Sequence, residues 1–284
     1  MMEQVFEIGG FCFAVRYSEQ VSFPENLLLF KTAKKPQYTY TIEVQNDLKP
    51  IRGQLVARRP DLMVFKTEQR ESRIIGIKGS SEPVAVYEEL SETDAHITYF
   101  PQWLPLINQD TIFNSLLVLE KRMLEQDAVV FHCAYIVKDG EAILFSGPSG
   151  MGKSTQADLW KQYKNVSIMN GDRALLRKIN GHYYACGWPV CGSSNICRNA
   201  QYPIRAIVML SQAKNNQTKR LSAGEAFRQI YPQITVNRWD TASNSRVMDL
   251  VTELAESQNV YHLACDISEQ AVNCLHQAIY EENP

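Results

Sequence analysis

Apolar and polar positions alternate through the first hundred residues. In "FEIGGFCFAVRYS", "YTYTIEVQ", "LMVFKTE", "RIIGIKG" and "HITYF", β-branched and aromatic residues alternate with polar ones, and Gly, Pro or Asn stands between the runs. The period of two predicts an antiparallel β region. It ends at "YFPQWLPLINQD", whose two prolines mark a boundary, so residues 1–104 are expected as a β-rich N-terminal region and residues 105–284 as a second domain. Asp110 is predicted to cap a helix over "TIFNSLLVLEKRMLEQ", in which Leu116, Leu117, Leu119, Met123 and Leu124 supply an apolar stripe for core packing.

Beyond that helix the pattern becomes one of strands alternating with helices. "AVVFHCAYIV" and "EAILFS" are joined by "KDGE", whose Asp-Gly pair favours a tight hairpin turn. A glycine loop, "GPSGMGKS", follows and leads into the helix-forming "STQADLWKQY". The apolar run "VSIMN" then precedes Gly171 and Asp172, followed by "ALLRKI", the turn "NGH" and the short "YYAC". The stretch from Gly187 to Asn199 has no regular period and is long for a connection in a compact domain, which marks it as a candidate functional loop. Strands "IRAIVML" and "TKRLS", helices over "AGEAFRQIY" and from Ser243 to Glu256, strand "VYHLAC" and helix "SEQAVNCLHQAIY" complete the chain. The last strand and helix, joined by an Asp or Ser cap, are read as structural. The expected class is α/β with a mixed, α+β-like sheet.

Composition narrows the function. The 284 residues carry a formal net charge of −2, so there is no basic field to attract nucleic acid or an anionic membrane. No run reaches the ~20 apolar residues that span a bilayer, and the first residues lack a secretory pattern, so the expected location is cytoplasmic. Seven scattered cysteines without C-x-x-C spacing fit ordinary reduced thiols. Zinc on Cys186, Cys191 and Cys197, with His182 nearby, is the alternative, but their spacings do not match the usual structural zinc patterns.

"GPSGMGKS" matches G-x-x-x-x-G-K-[ST], in the required context of a strand before and a helix after. Gly147, Gly150 and Gly152 allow positive φ and let consecutive N–H groups face phosphate oxygens, while the helix adds the positive end of its dipole. Pro148, Ser149 and Met151 fill the loop and Thr155 opens the first helical turn, so 147–155 is the expected ATP-binding segment. Lys153 is placed to reach the β- and γ-phosphates, and Ser154 to put its hydroxyl on Mg²⁺. At the end of the next strand, Asp172 suits a carboxylate acting on that Mg²⁺, with a turn aspartate as the plainer alternative. No second carboxylate flanks it, because position 171 is glycine.

His132 lies in the strand before the glycine-loop strand and can approach the phosphate end of the sheet; a packed, hydrogen-bonded histidine is the bland reading. Arg173, Arg198 and Arg205 are candidates for clamping a phosphoryl group or an anionic substrate. Arg198 is preferred because it shares the long loop with Ser193, Ser194 and Asn195. Trp188 is a candidate for lining a substrate pocket, though core packing is the commoner role for tryptophan.

Taken together, His132 in its strand, "GPSGMGKST", "MNGDRALL" and "YACGWPVCG" resemble P-loop kinases related to the C-terminal domain of HPr kinase/phosphorylase, which share a fold with phosphoenolpyruvate carboxykinase. The resemblance covers about residues 108–280. It implies ATP and Mg²⁺ as ligands, His132 near the transferred phosphate, Lys153 and Ser154 on phosphate and metal, and Asp172 as the second member of an Asp-Asp pair. The departure is Gly171, where HPr kinase has the first Asp, its acid/base. The implied function is transfer of the γ-phosphoryl of ATP to a hydroxyl, with serine of a protein or peptide as the expected acceptor. The alternatives are a nucleotide-binding regulatory module without transfer chemistry, and a small-molecule kinase or carboxykinase-like metabolic enzyme. On this reading residues 1–104 serve docking or regulation, and homo-oligomers are implied by the related kinases; whether Gly171→Asp raises basal ATP hydrolysis discriminates the regulatory-module alternative.

Overall fold

The computed structural model describes residues 1–47 and 50–281, in two compact units that divide between Leu119 and Glu120. The first unit is built on one sheet. Its elements are β1 (Met2–Ile8), β2 (Phe11–Tyr17), α1 (Glu25–Leu28), β3 (Tyr38–Val44), β4 (Gln54–Arg59), β5 (Leu62–Lys66), β6 (Glu71–Gly76), β7 (Pro83–Glu89) and β8 (Asp94–Tyr99). The strand order is β1-β2-β3-β8-β7-β6-β5-β4.

The sheet is mixed, not antiparallel throughout: β3 runs parallel to both β2 and β8. Alternation along a strand reports which face each side chain takes and carries no information on strand direction. Direction is decided by the connections, and the stretch holding α1 is long enough to return the chain for a parallel pair. Buried positions alternate in β3 and β6 as the period of two requires. Aromatic residues fill the core, with Phe6 and Phe13 rings 5.7 Å apart and Phe23 and Phe113 rings 5.2 Å apart.

Phe113 belongs to α2 (Asp110–Leu117), which thereby packs with the first unit, past the division at 104 that the prolines suggested. The helix expected to run unbroken from Thr111 instead breaks at Val118, whose φ of 50° is left-handed, and resumes as α3 (Leu119–Leu124). A continuous helix presents one stripe to a core. The break lets the consecutive residues Leu116, Leu117, Val118 and Leu119 all be fully buried, which offsets the strain of a β-branched residue at positive φ. Nor does Asp110 cap the helix: Gln109 holds the cap position, and the Asp110 carboxylate accepts from the Thr111 N–H and from Asn26 Nδ2.

The second unit contains β9 (Ala128–Lys138), β10 (Glu141–Ser146), α4 (Lys153–Lys164), β11 (Ser167–Asn170), β12 (Arg173–Ile179), β13 (His182–Cys186), β14 (Gln201–Gln212), β15 (Gln217–Arg220), α5 (Ala223–Ile230), α6 (Thr241–Ser257), β16 (Val260–Cys265) and α7 (Glu269–Tyr280). The β9–β10 hairpin turns at Asp139 and Gly140, both at positive φ, as the Asp-Gly pair predicts. Strand β10 is antiparallel to β9 and parallel to β14, so this sheet is mixed as well. Alternate residues of the same strands face two separate cores. Cys133, Tyr135, Ala142, Leu144, Ile207 and Met209 pack with α5 and α6 residues such as Ala226 and Val251. Ala134, Ile136, Ile143, Phe145, Ala206 and Val208 pack with α4 and α7 residues such as Trp160 and Leu275. With helices on both faces, strands β9, β10 and β14 read as nearly continuous apolar runs.

The long strand β9 changes partners midway. Its first half, Ala128 to His132, pairs with β12, and its second half, from Cys133 onward, pairs with β10. His132 therefore stands at the fork, opposite Arg173.

Trp160 of α4 is fully buried, 6.0 Å from the Phe145 ring, and its Nε1 has no hydrogen-bond partner. Trp160→Ala should destabilise the chain by ~3–5 kcal/mol through the cavity it leaves. Trp160→Phe should cost much less, because it also removes an unpaired buried donor. Urea unfolding followed by circular dichroism would measure both, and equal losses would contradict this account.

Candidate functional site

Strand β10 ends at Ser146, a fully buried hydroxyl that donates to the His132 carbonyl at 2.7 Å and so locks the fork of β9 to the start of the glycine loop. Gly147, Gly150 and Gly152 have φ of 147°, 81° and 92°, and Gly152 is the left-handed residue from which α4 begins. At Gly147 a Cβ would lie 3.3 Å from the Leu210 carbonyl, so the first loop residue is constrained by both conformation and space. Gln212 Nε2 donates to the Gly150 carbonyl at 3.1 Å and ties the loop to the end of β14.

Lys153 is 8% exposed, and its ammonium donates to the loop's own carbonyls, Gly147 at 3.0 Å and Pro148 at 3.2 Å. Burial lowers its pKa, and the nearby Asp172 carboxylate opposes that shift. The Ser154 hydroxyl donates to the Gly171 carbonyl at 3.4 Å, which brings the first turn of α4 against the end of β11.

Asp172 lies between two cations or potential cations. His132 Nε2 is 3.3 Å from its Oδ1, and Arg173 Nε donates to its Oδ2 at 2.9 Å. The His132 hydrogen bond, with Arg173 adding to it, holds the carboxyl at about 2 against the opposing effect of burial. Below it the Cys133 N–H donates to the Asp172 carbonyl at 3.0 Å, and burial pushes the Cys133 thiol up, so that sulfur is a packing group.

The residue that assembles this corner is Asn170, which sequence reading missed. Fully buried at the end of β11, it donates from Nδ2 to the Trp188 and Val190 carbonyls at 3.0 and 3.1 Å. Its Oδ1 accepts from the backbone N–H groups of Asp172 and Arg173 at 2.9 and 3.0 Å. All four hydrogen-bonding sites of the amide are thus engaged. The signal in the sequence was an asparagine closing an apolar strand, in "SIMN".

Gly171 and Gly192 mark close approach of the long loop. A Cβ on Gly171 would lie 2.3 Å from Ser194 Oγ, and one on Gly192 would lie 3.1 Å from Asp172 Cβ. The position where a first acid of an Asp-Asp pair would project is therefore filled by Ser194. A carboxylate at position 171 would therefore have to displace the Ser194 side chain.

Several candidates fall elsewhere. Arg198 is exposed, and its side chain makes no hydrogen bond or ion pair among the described residues. Arg205 lies toward the start of β14, paired with Glu141 at 3.9 Å and donating to the Ile279 carbonyl at 3.1 Å. That is the end of β10 opposite the glycine loop, so Arg205 is no clamp for its ligand. Trp188 is 1% exposed and is core, not pocket lining. Cys186 and Cys191 are buried and Cys197 is half-buried, none in a disulfide, and no group of three or more His, Cys, Asp or Glu suited to a metal occurs among the described residues.

A cavity of about 570 Å³ opens beside the glycine loop, lined by Met151, Thr155, Gln156, Lys214, Asp266 and Ile267 among others. The segment after β16, read from sequence as structural, is thus part of a cavity wall. Gln156 is 2% exposed; its Nε2 donates to Cys265 Sγ and the Asp266 carbonyl, and its Oε1 has no partner. A backbone cradle, a lysine whose ammonium rests only on loop carbonyls, and one ionised carboxylate near a hydroxyl make a donor set that fits a polyphosphate with Mg²⁺.

Among known proteins, the family model for SynChlorMet cassette protein ScmC matches residues 107–277, more than half of the chain. No curated protein matches. A solved structure of the Hpr(Ser) kinase/phosphatase from Coxiella burnetii is 15% identical over 33% of this chain and 71% of that one, with a TM-score of 0.25. No helix is long and apolar enough to cross a membrane among the described residues.

Two predictions follow from the geometry. Asp172 has a pKa depressed from 3.8 to about 2, so its interactions stabilise the fold above about pH 4 and are lost as pH falls through about 2. The stability difference between the parent chain and Asp172→Asn, at most about 2 kcal/mol, should therefore be constant near neutrality, shrink below about pH 4 and vanish only below about pH 2. Denaturant titrations at stepped pH would show it, and a difference independent of pH would refute it. Gly171→Asp should lower the unfolding midpoint and leave basal ATP hydrolysis no higher than in the parent; a rise in hydrolysis at unchanged stability would count against the Ser194 packing.

Proposed function

We propose that this chain, which belongs to the family of SynChlorMet cassette protein ScmC, binds ATP on residues 147–155 with Mg²⁺ on Ser154 and Asp172, and transfers the γ-phosphoryl to a hydroxyl. Serine of a protein or peptide is the acceptor class favoured. The observation that supports this most is the convergence of Lys153 and Ser154 from the start of α4, Asp172 from the turn between β11 and β12, and His132 from β9, at the C-terminal end of β10.

Each residue has a physical task. The glycine-loop N–H groups and the start of α4 receive the phosphates, and Lys153 exchanges its two loop carbonyls for phosphate oxygens. Mg²⁺, when bound, neutralises charge on the phosphates. Asp172 stays ionised across the physiological range and acts as a metal ligand; a carboxylate with a pKa of about 2 is a poor general base. His132 orients that carboxylate. The nucleoside enters the cavity between the glycine loop and the segment after β16. Residues 1–104 serve acceptor docking or regulation.

A second reading, a nucleotide-binding module without transfer, is favoured by one observation: Ser194 fills the place of the missing acid. The two part in an assay of label transfer from γ-labelled ATP to extract fractions, run beside an ATP titration. On the kinase reading one fraction gains label, and Lys153→Ala and Asp172→Asn each reduce transfer by about 10²-fold or more. Tight ATP binding with no labelled fraction would replace it with the second reading, and transfer at normal rate by Lys153→Ala would end it.

A further inference from the structure

The loop that closes over Gly171 also brings a hydroxyl to the residue that the first turn of α4 contacts. Ser194 Oγ would be 2.3 Å from a Cβ on Gly171, and the carbonyl of that same Gly171 accepts from Ser154, the residue assigned to the metal. Two residues earlier, Gly192 lies against the Asp172 side chain. Ser194 thus lies beside the backbone that Ser154 contacts, in the same loop segment that packs on Asp172.

Its placement is built into the fold. Cys197 forms an isolated β-bridge with Asn170, and the Asn170 amide holds the Trp188 and Val190 carbonyls, so both ends of the loop are anchored to β11. Within the loop, Ser194 Oγ donates to the Cys191 carbonyl at 2.7 Å and accepts from the Ile196 N–H at 3.3 Å. Ser194 is half-buried, whereas its neighbours Ser193 and Asn195 are exposed. The loop therefore turns one serine of the pair inward.

Resting on the kinase reading, the geometry points to Ser194 as a phosphoryl acceptor: the chain phosphorylates its own Ser194, within one molecule. Ser194 Oγ gives up its hydrogen bond to Cys191 and forms the new bond to the γ-phosphorus of a nucleoside triphosphate. The bond from that phosphorus to the β,γ-bridging oxygen breaks, and the nucleoside diphosphate leaves with the electron pair. The Oγ proton departs late, to solvent, because a loose phosphoryl-transfer transition state needs little prior deprotonation of the nucleophile.

The test uses the full chain with ATP and Mg²⁺, mass-spectrometric mapping of phosphorylated residues, and an ATP titration of the same preparation. The expected result is one phosphoryl group on residue 194, formed at a rate per chain that does not change on dilution. Ser194→Ala loses it, and so does Lys153→Ala. Ser194→Thr retains it at position 194, which keeps the test valid if alanine disturbs the loop. Gly171→Ala, whose methyl group would displace Ser194, reduces it. ATP binding with residue 194 unmodified, modification confined to Ser193, or a rate that rises with protein concentration would each overturn the assignment. In those cases the kinase reading survives if an added acceptor is labelled, whereas a chain that binds no ATP loses both.

Discussion

The buried amide of Asn170 holds together segments far apart in sequence. Its Nδ2 fixes the backbone at 188 and 190, and its Oδ1 fixes the turn at 172 and 173. A fully buried amide must satisfy all its donors and acceptors or carry a desolvation cost of ~1–3 kcal/mol for each group left over. That requirement makes the arrangement specific, because both protons of one NH₂ must find carbonyls of the long loop at once. Because the loop is fixed there, Gly192 and Ser194 are carried onto Asp172 and Gly171.

Electrostatics then act on a corner whose backbone is already set. Asp172 is charged and half-buried, and His132 and Arg173 offset the cost of burying that charge. Their placement comes from topology, since the fork in β9 puts His132 opposite Arg173 in the ladder with β12. Lys153 resolves its own burial with two backbone carbonyls of the glycine loop, and Ser154 reaches the Gly171 carbonyl. Lys153 and Ser154 are both satisfied by neutral acceptors, weaker partners than an anion or a divalent cation would be. This is the electrostatic character expected of a site whose charged ligand binds and leaves.

How much of this was legible beforehand varied by element. The β9–β10 hairpin and the β10–glycine loop–α4 unit were readable because each depends on neighbours in sequence: an Asp-Gly turn, a period of two, glycines at fixed offsets. The break at Val118 was not, because local propensity favours a continuous helix there and only burial of four consecutive residues decides otherwise. Parallel pairing of β3 was equally hidden, since alternation assigns faces and not directions. Arg198 and Arg205 show the same limit for the site: a charge has no address until the strand register gives it one.

The sequence by itself determined the glycine loop and its lysine, the strand and helix on either side, and a mixed α/β class, because those follow from backbone freedom and hydrophobic periodicity over a few residues. It also singled out His132 and Asp172 and noticed that Gly171 lacked a carboxylate. Only the tertiary structure decided that His132 and Asp172 meet and that a single asparagine anchors the loop between them and Trp188. The space beside Gly171 was likewise settled there, being filled by Ser194. These are packing relations between residues up to forty positions apart, set by the fork of β9 and by the closing of all four bonds of a buried amide.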